Sequence, residues 1–173
     1  MRAQAFWKAV VADNTDFLDR LIGLFAGQGV RYCLIGGQAV NAYVEPLVSL
    51  DLDIVVAMEQ LPDVETILQE EFRVERFPHS LNVSQAGSDL RVQIQMDPLY
   101  ASFVDRAAVR DVLGIPLPVA AVEDVLQGKV WAATDASRRP TKRRKDLLDI
   151  ERIVEAYPRL RDRLPPAILT QLE

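Results

Sequence analysis

The chain has 173 residues, 49% of them apolar, and a formal net charge of −5. That length suits one domain with ample material for a core, and the acidic balance argues against a protein that coats nucleic acid without preference, though it leaves room for a local basic site. Cys33 is the only cysteine, which excludes an intrachain disulfide framework; no apolar run approaches the ~20 residues of a membrane span, and Met1 to Lys8 lacks a signal-peptide pattern, so a cytoplasmic location is expected.

From Ala3 to Phe25 the apolar positions Phe6, Val10, Phe17, Leu18, Leu21, Ile22 and Phe25 recur at helical spacing. Asp13-Asn14-Thr15 divides this stretch, with Thr15 as a plausible N-cap followed by Asp16 and Asp19, and Gly27 and Gly29 close it. Arg31 to Ile35 reads as a short buried strand, Gln38 to Val44 as a helix ended by Pro46, and Leu50 to Ala57 as the next strand. Leu61 to Phe72 is a charged amphipathic helix entered through Pro62. Three stretches of strand character follow, Arg73 to Phe77, Leu81 to Gln85 and Leu90 to Met96. In the last, Leu90, Val92, Ile94 and Met96 alternate with Arg91, Gln93 and Gln95. Pro98 to Arg106 reads as a helix, and Val109 to Leu113 and Ile115 to Val119 as strands joined at Gly114. Ala121 to Thr134 is a helix and Ser137 to Thr141 a turn containing Pro140. Lys142 to Tyr157 is a strongly amphipathic helix with Leu147, Ile150, Ile153, Val154 and Tyr157 inward. Pro158, Pro165 and Pro166 punctuate a helical tail. Trp7 and Trp131 fall on apolar helical faces, and His79 falls in a loop. The expected fold is α/β (α+β), a single domain over residues 1–173: a small twisted mixed sheet flanked by helices, with a helical C-terminal part from about 121 that folds over the site.

Two features carry chemistry. The apolar run Leu34-Ile35 stops at Gly36-Gly37, where a strand passes into a helix; glycines let backbone approach a ligand, and a helix N-terminus offers free N–H groups to an anion such as phosphate. After thirteen intervening residues, Asp51 and Asp53 share one face of a strand. Like charges side by side repel unless a cation lies between them, so the pair reads as a site for a hard divalent ion, Mg²⁺ or Mn²⁺. An edge strand that merely exposes both carboxylates is the alternative, and the apolar Ile54-Val55-Val56 that follows favours a central strand. A phosphate cradle beside a metal site suits phosphoryl or nucleotidyl transfer.

Gly36-Gly37 followed by Asp51-Leu52-Asp53 resembles the signature of the DNA polymerase beta-like nucleotidyltransferase superfamily. Glu123 to Lys129, and Lys145-Asp146-Leu147-Leu148-Asp149, are similar to later segments of its small prokaryotic AbiEii-type and minimal nucleotidyltransferase branch. The resemblance spans roughly Tyr32 to Val154. It implies that Gly36, Gly37 and Gln38 hold the triphosphate of an NTP and that Asp51 and Asp53 hold the metal. It gives Lys129 a triphosphate contact and assigns roles to Lys145, Asp146 and Asp149. NMP would pass to a hydroxyl of RNA, protein or a small molecule. The toxin–antitoxin members of the branch imply a cognate protein partner.

One position departs from that pattern. The family places a third metal-binding acid on a neighbouring strand, and Gln93 stands there. Asp89 and Asp97 lie four residues away on the same face, about 13 Å along an extended strand. Two outcomes are therefore open: an active transferase, or a degenerate protein that binds a nucleotide or a partner without turnover. Lys142 with Asp146, and Lys145 with Asp149, also read as ordinary i,i+4 surface pairs. Arg138, Arg139, Lys142, Arg143, Arg144 and Lys145 place six positive charges within eight residues, either a solvated face or a contact for phosphate or RNA.

Overall fold

A computed structural model describes residues 16–172. The helix expected before Asp13, the Thr15 cap and Trp7 lie outside the described residues. Helix α1 (Phe17–Gly27) buries Phe17, Leu18, Leu21 and Phe25, the stripe that the apolar spacing predicts. Strand β1 (Tyr32–Ile35) runs into the short helix α2 (Gly36–Asn41), and β2 (Asp51–Val56) leads through a single 3₁₀ turn to α3 (Leu61–Glu71). Strands β3 (Arg73–Phe77), β4 (Ser80–Ser84) and β5 (Arg91–Gln95) follow, with His79 exposed in the turn between β3 and β4. After the one-turn helix α4 (Phe103–Arg106) come β6 (Ala108–Val112) and β7 (Ile115–Val119). Helices α5 (Val122–Thr134), α6 (Pro140–Ala156) and α7 (Pro166–Gln171) form the C-terminal part.

The strands make one seven-stranded sheet in the order β3-β4-β5-β2-β1-β7-β6. It is mixed: β1 pairs antiparallel with β2 and parallel with β7, while β2 runs parallel to β5. The expected mixed sheet flanked by helices is the observed architecture. Central position explains composition, since β1 and β2 supply Cys33, Leu34, Leu52, Ile54, Val55 and Val56 to one buried cluster that also takes Ile94, Val119, Ile150 and Ile153. Cys33 is buried and free, and burial, aided by Asp124, pushes its thiol up to about 12, so it is an inert core residue.

Three boundaries differ from expectation for identifiable reasons. Helix α2 starts at Gly36 and ends at Asn41, short of Val44. There the Asn41 side chain bonds both the N–H and the C=O of Leu47 (2.9 and 2.7 Å) and turns the chain into a loop. The helix expected over 98–106 breaks into a 3₁₀ turn at Pro98–Tyr100 and the single turn of α4, with the Asp97 carboxylate accepting from Leu99 N at 3.0 Å. Helix α6 begins at Pro140, where a missing N–H costs nothing in the first helical turn. Between β6 and β7 both Leu113 and Gly114 have positive φ (52° and 86°), the backbone of a two-residue hairpin turn.

Candidate functional site

Strand register assembles one end of the site. Ile35 lies opposite Asp53 across β1 and β2, while Asp51 and Asp53 lie beside Arg91 and Gln93 across β2 and β5. Side-chain alternation puts Asp51, Asp53, Arg91 and Gln93 on one face, at the end of the sheet where β1 passes into α2. Gln93 therefore stands next to Asp53, the position that the resemblance implies. Among the described residues no group of three His, Cys, Asp or Glu side chains could hold a metal ion.

Gly36 adopts φ +69°, and a Cβ on it would collide with the Asp53 Oδ2. Only glycine lets this turn lie against the carboxylate. Gly37 is less constrained, since a Cβ there would meet Ser49 Oγ at 3.8 Å and Lys145 Nζ at 3.9 Å, ordinary contacts. Gln38 needs correction. Its side chain is fully buried and turned inward, with Nε2 donating to Ser49 O (3.1 Å) and Oε1 accepting from Asn41 Nδ2 (3.1 Å). One end of the amide holds the loop that delivers Asp51 and the other the Asn41 that turns the chain into it, and the side chain is not part of the cleft lining.

The two aspartates are electrostatically unequal. Asp51 Oδ1 sits 2.8 Å from Arg91 Nε, and its backbone N–H donates to Ser49 Oγ at 3.2 Å. Asp53 forms no ion pair among the described residues. Burial raises its pKa to about 6, an effect that Lys129 opposes and Asp51 reinforces.

Helices α5 and α6 form the opposite wall, and here the surface-pair reading of Asp146 and Asp149 is overturned. Both are 1% exposed and meet cations from other segments. Lys129 Nζ lies 3.2 Å from Asp146 Oδ1 and 2.8 Å from Asp149 Oδ2; Arg138 Nε reaches Asp146 at 2.6 Å and Arg152 reaches Asp149 at 2.8 Å. Three cations meet two carboxylates, which leaves one positive charge. Arg152 also donates to the Glu45 carbonyl, tying α6 to the loop before Asp51. Burial alone would lower the Lys129 pKa, but Asp149 and Asp146 outweigh it and hold the ammonium above the usual lysine value. Asp146 thus serves as a buried counter-ion.

Between the walls lies a cleft of about 410 Å³. Its lining includes Asp51, Asp53, Gln93 and Lys129 on the inside and Arg139, Lys142 and Lys145 at the cationic side. The last three have no ion-pair partner among the described residues. The basic run is therefore divided: Arg138 is used in the buried network, three cations face the cleft, and Arg143 and Arg144 are outside its lining.

Sequence reasoning missed three participants. Arg91 was accessible in principle, being two residues from Gln93 on an alternating strand. Arg152 carried a weaker signal, three residues after Asp149 on the same helix. Tyr100, which lines the cleft with its ring edge-on to Phe103 and Trp131 (centroids 5.4 and 5.2 Å), carried none.

No family model and no curated protein matches the chain in sequence comparison. Solved structures do match in fold. ANT(2'')-Ia in complex with adenylyl-2''-tobramycin superposes with a TM-score of 0.60 at 15% identity, covering 84% of this chain and 95% of that one. The lincomycin-bound lincosamide antibiotic adenylyltransferase LnuA gives 0.56 at 15% identity, covering 81% and 98%. JHP933 from Helicobacter pylori gives 0.51 at 19% identity, covering 84% and 67%. The chain has the nucleotidyltransferase fold.

Proposed function

We propose that the cleft binds a nucleoside triphosphate together with Mg²⁺ or Mn²⁺ and transfers its NMP to a hydroxyl of RNA, a protein or a small molecule. One observation carries this reading: one cleft is lined by Asp51 and Asp53 and by three cations, Arg139, Lys142 and Lys145, and of these five only Asp51 is in an ion pair among the described residues. A polyanion that brings a divalent cation satisfies both sides, whereas a simple anion or a simple cation satisfies one.

The donors fit a hard divalent ion. Asp51 and Asp53 offer adjacent carboxylates, and Asp53, whose pKa burial raises against the pull of Lys129, Arg138 and Lys142, makes no ion pair that a metal would have to displace. Mg²⁺ accepts few protein ligands and leaves places for water and substrate phosphate; when bound it would neutralise phosphate charge. The chain's own part is positioning. Gly36 and Gly37 keep the turn free of side chains, Lys142, Lys145 and Arg139 draw the phosphates, and Lys129 holds the two helices of the wall at a fixed spacing. In the transfer the acceptor oxygen bonds the α-phosphorus, the bond to diphosphate breaks so that diphosphate leaves, and the acceptor proton passes to water in the open cleft. Gln93 cannot take that proton at neutral pH.

Gln93 favours a second reading, nucleotide binding without turnover. Labelled NTPs with Mg²⁺ or Mn²⁺ and a panel of hydroxyl acceptors separate the two. Transfer by wild type that Asp51→Ala abolishes supports the enzyme. Transfer only after Gln93→Asp supports the degenerate protein, and none from either variant contradicts transfer altogether. Small-molecule acceptors belong on the panel because the similar structures include enzymes named for antibiotics. The resemblance of Lys129 and Lys145-Asp146-x-x-Asp149 to the AbiEii-type branch is the ground for proposing membership of it and, through it, a cognate protein partner of the toxin–antitoxin kind. Co-purification with the product of the adjacent gene tests that partner. Contact with RNA would fall to Arg143 and Arg144, with Arg139 and Lys142 at the cleft mouth.

A further inference from the structure

The acidic end of the cleft also holds a cation. Parallel pairing of β2 with β5 sets Asp51 beside Arg91 and Asp53 beside Gln93 on one face. The position that the resemblance gives to a third carboxylate is therefore neutral, and a guanidinium stands two residues from it. Arg91 Nε lies 2.8 Å from Asp51 Oδ1. Among the described residues, three cations of the cleft lining are ion-paired: Arg91, Lys129 and Arg138. Lys129 and Arg138 are held by Asp146, which is 1% exposed, and neither can leave without stranding a buried charge. Arg91 pairs only with Asp51, one of the two carboxylates offered to a metal, and its side chain is 68% exposed.

That exposure decides what the pair can do. An ion pair so open to water adds little to the fold and costs as little to break, and the long side chain can then turn from Asp51 along the cleft. In the metal-free protein the guanidinium is the one cation, among the described residues, in an ion pair with either aspartate. A divalent cation taken up by Asp51 meets that charge at the same carboxylate and is repelled by it. The conflict ends where the guanidinium has an anion to go to. A phosphate suits it, because the planar fork holds two phosphate oxygens at once. A triphosphate that arrives with its metal supplies both halves of the exchange, metal for Asp51 and phosphate for Arg91.

We propose that Arg91 is an exchangeable counter-ion: it pairs with Asp51 in the metal-free protein, weakens the binding of a bare divalent cation, and passes to the triphosphate when metal and triphosphate enter together. The proposal rests on the metal-and-phosphate reading of the cleft. Arg91→Gln keeps a polar side chain and removes the charge from an exposed position, so the melting temperature in EDTA should stay within a degree or two of wild type. The test compares the two full-length proteins with two probes. Mn²⁺ alone is followed by electron paramagnetic resonance, and inorganic triphosphate saturated with Mn²⁺ by calorimetry, each at low and high salt. R91Q should bind Mn²⁺ alone about threefold more tightly than wild type and the Mn²⁺–triphosphate complex about threefold more weakly, and both differences should shrink as salt rises. Opposite signs are the mark of the exchange, since a merely structural role would move both affinities together. Adding Asp53→Asn to R91Q should abolish the Mn²⁺ binding. Affinities that move in the same direction, either one left unmoved, or Mn²⁺ binding that survives the loss of Asp53, overturns the proposal. Failure of both proteins to bind either probe would instead overturn the metal-and-phosphate reading itself, and Arg91's role with it.

Discussion

Replacing Asp53 with asparagine should stabilise the metal-free protein. The carboxylate's pKa rises from 3.8 to about 6 because burial beside Asp51 outweighs the pull of Lys129. A folded-state pKa above the unfolded value means that the associated stability is fully present below about pH 4 and is lost as pH rises through about 6. At about 1.4 kcal/mol per unit the loss is complete near pH 8 at roughly 3 kcal/mol, an upper bound because Asp53 retains some access to the cleft. The amide keeps the shape of the carboxyl and carries no charge, so D53N should match wild type at pH 4 and exceed it by about 1–3 kcal/mol at pH 8. That is a gain of several degrees in melting temperature for a chain of this size. Urea unfolding in EDTA from pH 4 to pH 8 measures the difference. Repeating the pH 8 melts with Mn²⁺ should raise wild type and leave D53N unmoved. A destabilised D53N at pH 8 in EDTA, or a metal-induced shift that survives the substitution, would refute the reasoning.

Other substitutions probe the remaining parts. Gly36→Ala forces a side chain into a left-handed backbone and against Asp53, and should cost about 2–4 kcal/mol in urea unfolding, whereas Gly37→Ala should cost under about 1 kcal/mol. Lys129→Met leaves Asp146 and Asp149 buried with only Arg138 and Arg152, and an expected loss of about 3–5 kcal/mol is checked by the same measurement. Lys142→Ala with Lys145→Ala should leave the melting temperature within a degree or two, since neither makes an ion pair among the described residues. Their joint removal should weaken nucleotide binding by about tenfold or more and flatten its salt dependence, read by titration at two ionic strengths.

Much of the architecture was legible because the sheet centre and the helices obey simple periods. Alternation in β2 and β5 was enough to put Asp51 with Asp53, and Arg91 with Gln93; which strand neighbours which is a long-range fact, and the resemblance rather than periodicity supplied the pairing of Asp53 with Gln93. Asp146 and Asp149 show the limit. The spacing of α6 places them beside Ile150 and Ile153 on the inward stripe, but local charge pairing suggested Lys142 and Lys145 as partners. The true partners are Lys129, Arg138 and Arg152, of which Lys129 comes from another helix and Arg138 from the turn before α6. Gln38 differs for a related reason: the resemblance implied a triphosphate contact, whereas its amide is taken up by Ser49 and Asn41, partners that local spacing does not reveal. Tyr100 was invisible because the helix expected around it does not form, and the break is what turns its ring to α5.

The central claim, that one cleft unites a metal-binding acid pair with a phosphate-binding cation set, is tested most directly by nucleotide calorimetry with and without divalent metal. The account predicts saturable binding of at least one NTP with Mg²⁺, at one site per chain, at least tenfold weaker in EDTA and in D53N and weakened again in the Lys142, Lys145 double variant. Binding that is indifferent to metal and to Asp53, or no binding of any NTP, would contradict it.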